Sequence, residues 1–139
     1  MQKGAADAFK KLLVARFETL KLGSPTSTDT DLGPQADATQ AKTIASYLEI
    51  GKQDGNVLTG GDKSHVGANY IEPTVFTGIR DDSRINVEEV FGPVLVLHEF
   101  DTEDEAVARA NDTDCTSYGL LSCQLNANRR CRWLVCLCL

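Results

Sequence analysis

Residues 1–114 contain no cysteine, and nowhere does the chain approach the roughly 18 consecutive apolar residues that a membrane-crossing helix requires. The opening Met1-Gln2-Lys3-Gly4-Ala5-Ala6-Asp7 has no apolar core of signal-peptide length, so the expected compartment is the cytoplasm, with no membrane partner. Basic residues are the minority: 14 Lys and Arg stand against 20 Asp and Glu, for a net charge of −6. That balance argues against a nucleic-acid partner, which would require a basic face. The two histidines, His65 and His98, are isolated from each other, and surface or packing roles are expected for them rather than catalysis. Asn111-Asp112-Thr113 spells a glycosylation sequon, which has no meaning without a secretory signal.

What is present suits one globular domain: 139 residues, 42% hydrophobic and 24% charged, with no internal repeat and no low-complexity segment. From Ala5 to Leu20, Phe9, Leu12, Leu13, Phe17 and Leu20 recur at helical spacing and predict a buried stripe, ended by Gly23 and Pro25. Ser24 to Asp31 reads as loop. Asp37, with Gln40 three residues on, forms a capping box for a second helix. Its inward stripe would be Ala41, Ile44, Ala45 and Leu48, with Gly51 as the stop.

Asn56 to Thr59 is a short strand candidate before Gly60-Gly61. Tyr70 to Phe76 is β-rich but interrupted by Pro73, which predicts an edge or a bend. Val94-Leu95-Val96-Leu97 reads as a strand covered on both faces. Thr102 and Glu105 cap a further helix running to about Asn111, with Ala106, Val107 and Ala110 inward. Helices and strands alternate, so the fold class is α/β, a partial parallel sheet with flanking helices. Gly60-Gly61-Asp62-Lys63-Ser64 hints at a phosphate loop, but Asp62 breaks the Gly-Lys-Ser order.

The stretch Glu88-Glu89-Val90-Phe91-Gly92-Pro93-Val94 resembles the E-E-[IV]-F-G-P-V signature of the NAD(P)-dependent aldehyde dehydrogenases. Other stretches resemble that family in the same order over residues 8 to 113. They include Thr30-Asp31-Leu32-Gly33-Pro34, Tyr70 to Phe76, Phe100 to Ala106, and Ala110-Asn111-Asp112-Thr113. The resemblance implies part of a catalytic domain, and NAD or NADP as cofactor. Glu89 would accept hydrogen bonds from the two hydroxyls of the nicotinamide ribose, and a carboxylate has acceptor sites enough for a vicinal diol. Phe91 would lie beside the nicotinamide, and the Gly92-Pro93 turn would hold both side chains at the mouth of the site. Gln40 stands where some family members also reach this ribose; the basic residue that often accompanies it is here Thr43. Read without the resemblance, Glu88-Glu89 is a solvated acidic pair and Phe91 a core residue.

In this family a cysteine thiolate attacks the aldehyde, and a glutamate activates the water that releases the acid. That cysteine, that glutamate, the oxyanion-stabilising asparagine and the dinucleotide fold precede the matched segment. No catalytic residue is therefore expected among these residues, NAD(P) should be held only loosely, and the chain should not turn over an aldehyde alone. The alternative is a non-catalytic interaction module: the family forms dimers and tetramers, and uncovered sheet edges could pair with the same chain or an intact relative. The reading divides the chain into a dehydrogenase-like fragment, 1–114, and a divergent tail, 115–139, with the marks of a misread intron or a frameshift. The tail holds all five cysteines. Its Cys136-Leu137-Cys138-Leu139 ending formally fits a prenylation box at Cys136. Its cysteine spacing lacks a Cys-x-x-Cys knuckle for zinc, so no metal is expected.

Overall fold

The computed structural model of the protein describes residues 1–62 and 64–111. The expectations placed on the tail, including Cys136, lie outside the described residues. In chain order the elements are helix α1 (Lys3–Phe17), helix α2 (Ala38–Asp54), strands β1 (Asn56–Thr59) and β2 (Thr74–Thr77), the short helix α3 (Arg84–Val87), strand β3 (Val94–Leu97) and helix α4 (Glu103–Asn111).

The expected α/β class holds, as a three-stranded sheet in the order β1-β2-β3 with helices around it. β2 and β3 are parallel, with Val75 opposite Leu95, and the crossover between them carries α3. β1 is antiparallel to β2, so the sheet is mixed rather than wholly parallel. Pro73 does not push its neighbours to an edge. It stands just before β2, the central strand, whose ladder begins at Thr74, and the missing N–H of Pro73 costs that ladder nothing. Among the described residues β3 is an edge strand, and exposed Leu95 corrects the expectation that both its faces are covered.

The core forms where α2 lies against β2 and the crossover: Ile44, Tyr47 and Leu48 meet Ile71, Phe76, Ile79 and Ile85. α2 runs past its expected stop. Gly51 is buried inside the helix, and a Cβ there would sit 2.6 Å from the Phe76 ring, so this glycine lets helix and strand approach rather than ending the helix. Of the capping box expected at α2 the Asp37 half is present, its side chain accepting from the Gln40 N–H at 2.8 Å. At α4, the Thr102 hydroxyl accepts from the Glu105 N–H at 3.3 Å, and the Glu105 carboxylate accepts from the Asp101 N–H at 2.9 Å.

α1 departs further from its reading. It ends at Phe17, where the Thr19 hydroxyl takes the Arg16 carbonyl at 2.7 Å and the chain tightens into a turn. Ala6 is its buried residue, and Leu12 is 73% exposed. One residue is about 100° around a helix, so Leu12 falls off the line that Ala6, Leu13 and Phe17 share. Likewise Val107 and Ala110 on α4 are exposed and only Ala106 is buried, giving that helix a one-residue seam.

His98 is half-buried between α3 and α4. Its Nδ1 lies 3.1 Å from the Arg109 guanidinium, which only donates, so Nδ1 accepts and Nε2–H donates to Asn86 Oδ1 at 2.7 Å. Arg109 also pairs with Asp81 at 2.6 Å. Burial, and then the Arg109 charge, lower the His98 pKa from its ordinary 6.5. The unfolded chain therefore takes up this proton first as the pH falls, so the contribution is complete above 6.5 and is lost on acidification towards the folded-state value. Urea unfolding of wild type and His98→Gln on either side of pH 6.5 checks this: the wild type should lose more stability on acidification than the variant. Equal losses would contradict the assignment. His65 is exposed.

Candidate functional site

Three residues on one face of α2, Gln40, Ile44 and Tyr47, stand at i, i+4 and i+7, the spacing that lines up side chains along a helix. All three meet the segment from 88 to 92. Gln40 Nε2 donates to the Phe91 carbonyl at 2.7 Å. The Ile44 side chain lies so close to Gly92 that a Cβ there would come within 2.5 Å of Ile44 Cδ1. The Tyr47 hydroxyl donates to the Glu88 carboxylate. The segment is a tight turn of its own, since Gly92 N–H bonds the Val90 carbonyl at 2.9 Å and Val94 N–H the Gly92 carbonyl at 2.7 Å.

Glu88 is gripped from a second side. Arg84, one helical turn earlier, donates from Nε to Oε1 at 2.8 Å and from Nη2 to Oε2 at 2.9 Å, the two-pronged geometry that suits guanidinium and carboxylate. The same guanidinium lies 5.5 Å from the centre of the Tyr47 ring. The hydrogen bonds from Arg84, and then that from Tyr47, hold the Glu88 carboxyl down at about 2. Bonding to Glu88, reinforced by burial, raises the Tyr47 phenol, and Glu88 likewise raises Arg84.

The structure thus joins two of the candidates read from the sequence, Gln40 and Phe91, across 51 positions of chain. Phe91 is not a core residue: it is 65% exposed, with its backbone fixed and its ring outward. Glu89, the third candidate, is half-buried on the same turn and has a partner within the fold. The Thr43 hydroxyl is spent on the Thr39 carbonyl at 3.0 Å, inside its own helix. Sequence reading gave no site role to Tyr47 or Arg84, and placed Glu88 in the signature without a role of its own. The signal available was the Gln40-Ile44-Tyr47 spacing, together with Arg84 four residues before Glu88.

A shallow groove elsewhere on α2, lined by Ala45, Ser46, Glu49, Lys52, Gly61 and Asp62, includes none of the three candidates. It belongs to the Gly60-Gly61 loop, where Gly61 N–H is taken by Thr74 Oγ1 at 2.9 Å and Asp62 by Lys52 at 3.2 Å. Among the described residues no cluster of His, Cys, Asp and Glu is placed to hold a metal, and no helix is long and apolar enough to cross a membrane.

The model of the aldehyde dehydrogenase family matches residues 1–131. The chain belongs to the aldehyde dehydrogenase family. A betaine aldehyde dehydrogenase of Mesorhizobium japonicum is 43% identical over 119 residues, which cover 82% of this chain and 24% of that protein. The fold agrees with that of a Bacillus cereus aldehyde dehydrogenase (TM-score 0.78, 35% identity, 86% of this chain and 24% of that one). It agrees equally with a Thermus 1-pyrroline-5-carboxylate dehydrogenase solved with bound NAD (TM-score 0.76, 39% identity, 86% and 22%). This aldehyde dehydrogenase family member thus spans about a quarter of the length of the relatives it matches.

Proposed function

We propose that these 139 residues supply the nicotinamide-ribose wall of an aldehyde dehydrogenase site and do not oxidise an aldehyde by themselves. The observation that carries the reading is the bond from Gln40 to the Phe91 carbonyl, which makes one corner of α2 and the Glu89–Phe91 turn. The residue chemistry fits the group. Glu89 offers a carboxylate for a vicinal diol, and the outward Phe91 ring offers a flat apolar face. Gln40 has one N–H and its Oε1 beyond the bond that it makes to the turn. When bound, NAD(P) accepts hydride from the substrate carbon. The protein's part here is to orient: Glu89 would hold the ribose, Phe91 would limit the tilt of the ring, and Gln40 would keep the turn in place.

The steps that make and break bonds to carbon call for a thiolate nucleophile and a base, and removing such a nucleophile costs orders of magnitude that the rest of a site does not restore. The cysteine-free run from 1 to 114 contains no such thiol. One wall of a dinucleotide site supplies a small share of the binding energy, so the affinity for NAD or NADP should be weak, on the order of millimolar.

Two measurements on the 139-residue chain test the reading. Absorbance at the reduced-nicotinamide wavelength, with aldehyde and NAD or NADP, should show no turnover. Saturation-transfer NMR should show magnetisation passing from protein to the nicotinamide and its ribose, with the signal largely lost in Glu89→Ala. Turnover, or transfer that Glu89→Ala leaves untouched, would refute the proposal.

A further inference from the structure

We infer that the outer edge of β3 is a strand-addition site: it takes an extended segment of a separate polypeptide, running parallel to β3 and paired to it through main-chain hydrogen bonds. The edge stands or falls apart from the ribose wall proposed above.

The direction of the open groups follows from the ladder. In a parallel pair, alternate residues of a strand turn their main-chain N–H and C=O towards the same neighbour. Thr74 N–H donates to the Pro93 carbonyl at 2.9 Å, and with Thr74 opposite Val94 this turns Pro93, Leu95 and Leu97 towards β2. Val94 and Val96 face the other way. The Val94 N–H is spent on the Gly92 carbonyl at 2.7 Å. The Val94 carbonyl and both main-chain groups of Val96 are left on the open side, with no partner among the described residues.

The next residues of the same parity show what this side accepts. The His98 carbonyl accepts from the Met1 nitrogen. Phe100 N–H donates to the Met1 carbonyl at 3.0 Å, and its carbonyl accepts from Lys3 N–H at 3.0 Å. Gln2 and Phe100 therefore form a parallel bridge on the outer side, fastened by the ion pairs Lys3–Asp101 and Lys10–Glu99. The register and polarity of a fourth strand are thus set at its downstream end.

A segment laid along Val94–Leu97 would continue that ladder and cover Leu95, which is 36% exposed. β3 has no charge and no proline to blunt its edge, and it pairs with β2 without a bulge. The opposite edge differs: β1 has a register shift between Val57 and Thr59, the kind of irregularity that turns an edge away from partners. A second copy of this chain is the poorer occupant. A two-fold axis would set β3 antiparallel to its copy, against the polarity of the Met1–Lys3 bridge. Recognition is by main-chain groups, so the occupant is defined by extended shape, uncharged β-branched side chains and an apolar residue beside Leu95.

The test follows amide exchange by NMR in the full 139-residue chain, alone and with a lysine-flanked peptide of alternating valine and threonine. In the free chain the Val96 amide should exchange at least several-fold faster than those of Leu95 and Leu97, which bond β2. The peptide should slow Val96 several-fold and leave Leu95 and Leu97 as they were. A peptide methylated at every backbone amide, with the same side chains, should slow nothing. A spin label at the peptide's C-terminal end should broaden the Met1–Lys3 amides rather than the turn at Gly92. Val96→Pro removes the outward N–H without removing a bond to β2, and should abolish the response; Leu95→Lys, which leaves every main-chain group in place, should weaken it several-fold. A Val96 amide already protected in the free chain would overturn the proposal, as would equal protection by the methylated peptide, broadening at Gly92, or a peptide without effect. So would a wild-type dimer that Leu95→Lys dissociates, since the edge would then be a contact between copies.

Discussion

Phe76→Ala is expected to lower the stability of this chain by about 3–5 kcal/mol, enough to abolish a cooperative unfolding transition. Phe76 is fully buried on the central strand, and its ring is the surface on which α2 rests at Gly51. Truncation would remove apolar area and open a cavity that a glycine opposite cannot fill, since no side chain is there to move in. The site depends on the same contact. α2 carries Gln40, Ile44 and Tyr47, so loosening its seat on β2 should also loosen the turn at 88–92. Thermal unfolding followed by circular dichroism, with aromatic near-ultraviolet bands as a second probe, checks this. A variant that unfolds within a few degrees of wild type would show that the α2–β2 seam is not the core.

The second large effect is expected at Gly60. Its φ of +73° lies in the left-handed region, and an added Cβ would collide with the backbone carbonyl of Pro73 and sit 2.7 Å from Thr74 Oγ1. A left-handed backbone costs a residue with a side chain roughly 1–2 kcal/mol, and an overpacked contact adds about 1–3 kcal/mol, here against backbone that cannot swing away. Gly60→Ala should therefore lower the urea midpoint by an amount that corresponds to about 2–5 kcal/mol. Gly4→Ala is the control: nothing lies within 4 Å of a Cβ there, and alanine favours the helix, so this change should be neutral or slightly stabilising. A Gly60→Ala midpoint equal to that of Gly4→Ala would contradict the loop geometry.

The sequence was most informative where one residue type has one job. Asp37 and Thr102 announced their helices through capping chemistry, and Val94–Leu97 announced a strand by its unbroken apolar run. The errors came where two roles share a residue type. Glycine both ends helices and admits close neighbours, and only the Phe76 ring shows which role Gly51 plays. Proline disrupts a ladder only when it sits inside one, and Pro73 sits one residue before it. An amphipathic stripe says that a face is apolar but not how much of it finds a partner, which is why Leu12 and Val107 proved exposed.

The site was half legible. The Glu-Glu-Val-Phe-Gly-Pro run and Gln40 were picked out through a family resemblance, and the structure brings Gln40 to Phe91. The site contacts of Tyr47 and Arg84 with Glu88 were not found, because each residue looked ordinary by itself. Their meaning comes from a helix face and a four-residue spacing that converge only in three dimensions.

The most direct test of the account is a titration of the 139-residue chain with NAD, followed residue by residue through amide and side-chain NMR shifts. The account predicts that the largest movements fall on Glu89, Val90, Phe91 and the Gln40 side-chain amide, with the groove around Lys52 and the His98 cluster unmoved. Movements centred on that groove, with the 88–92 turn silent, would contradict it.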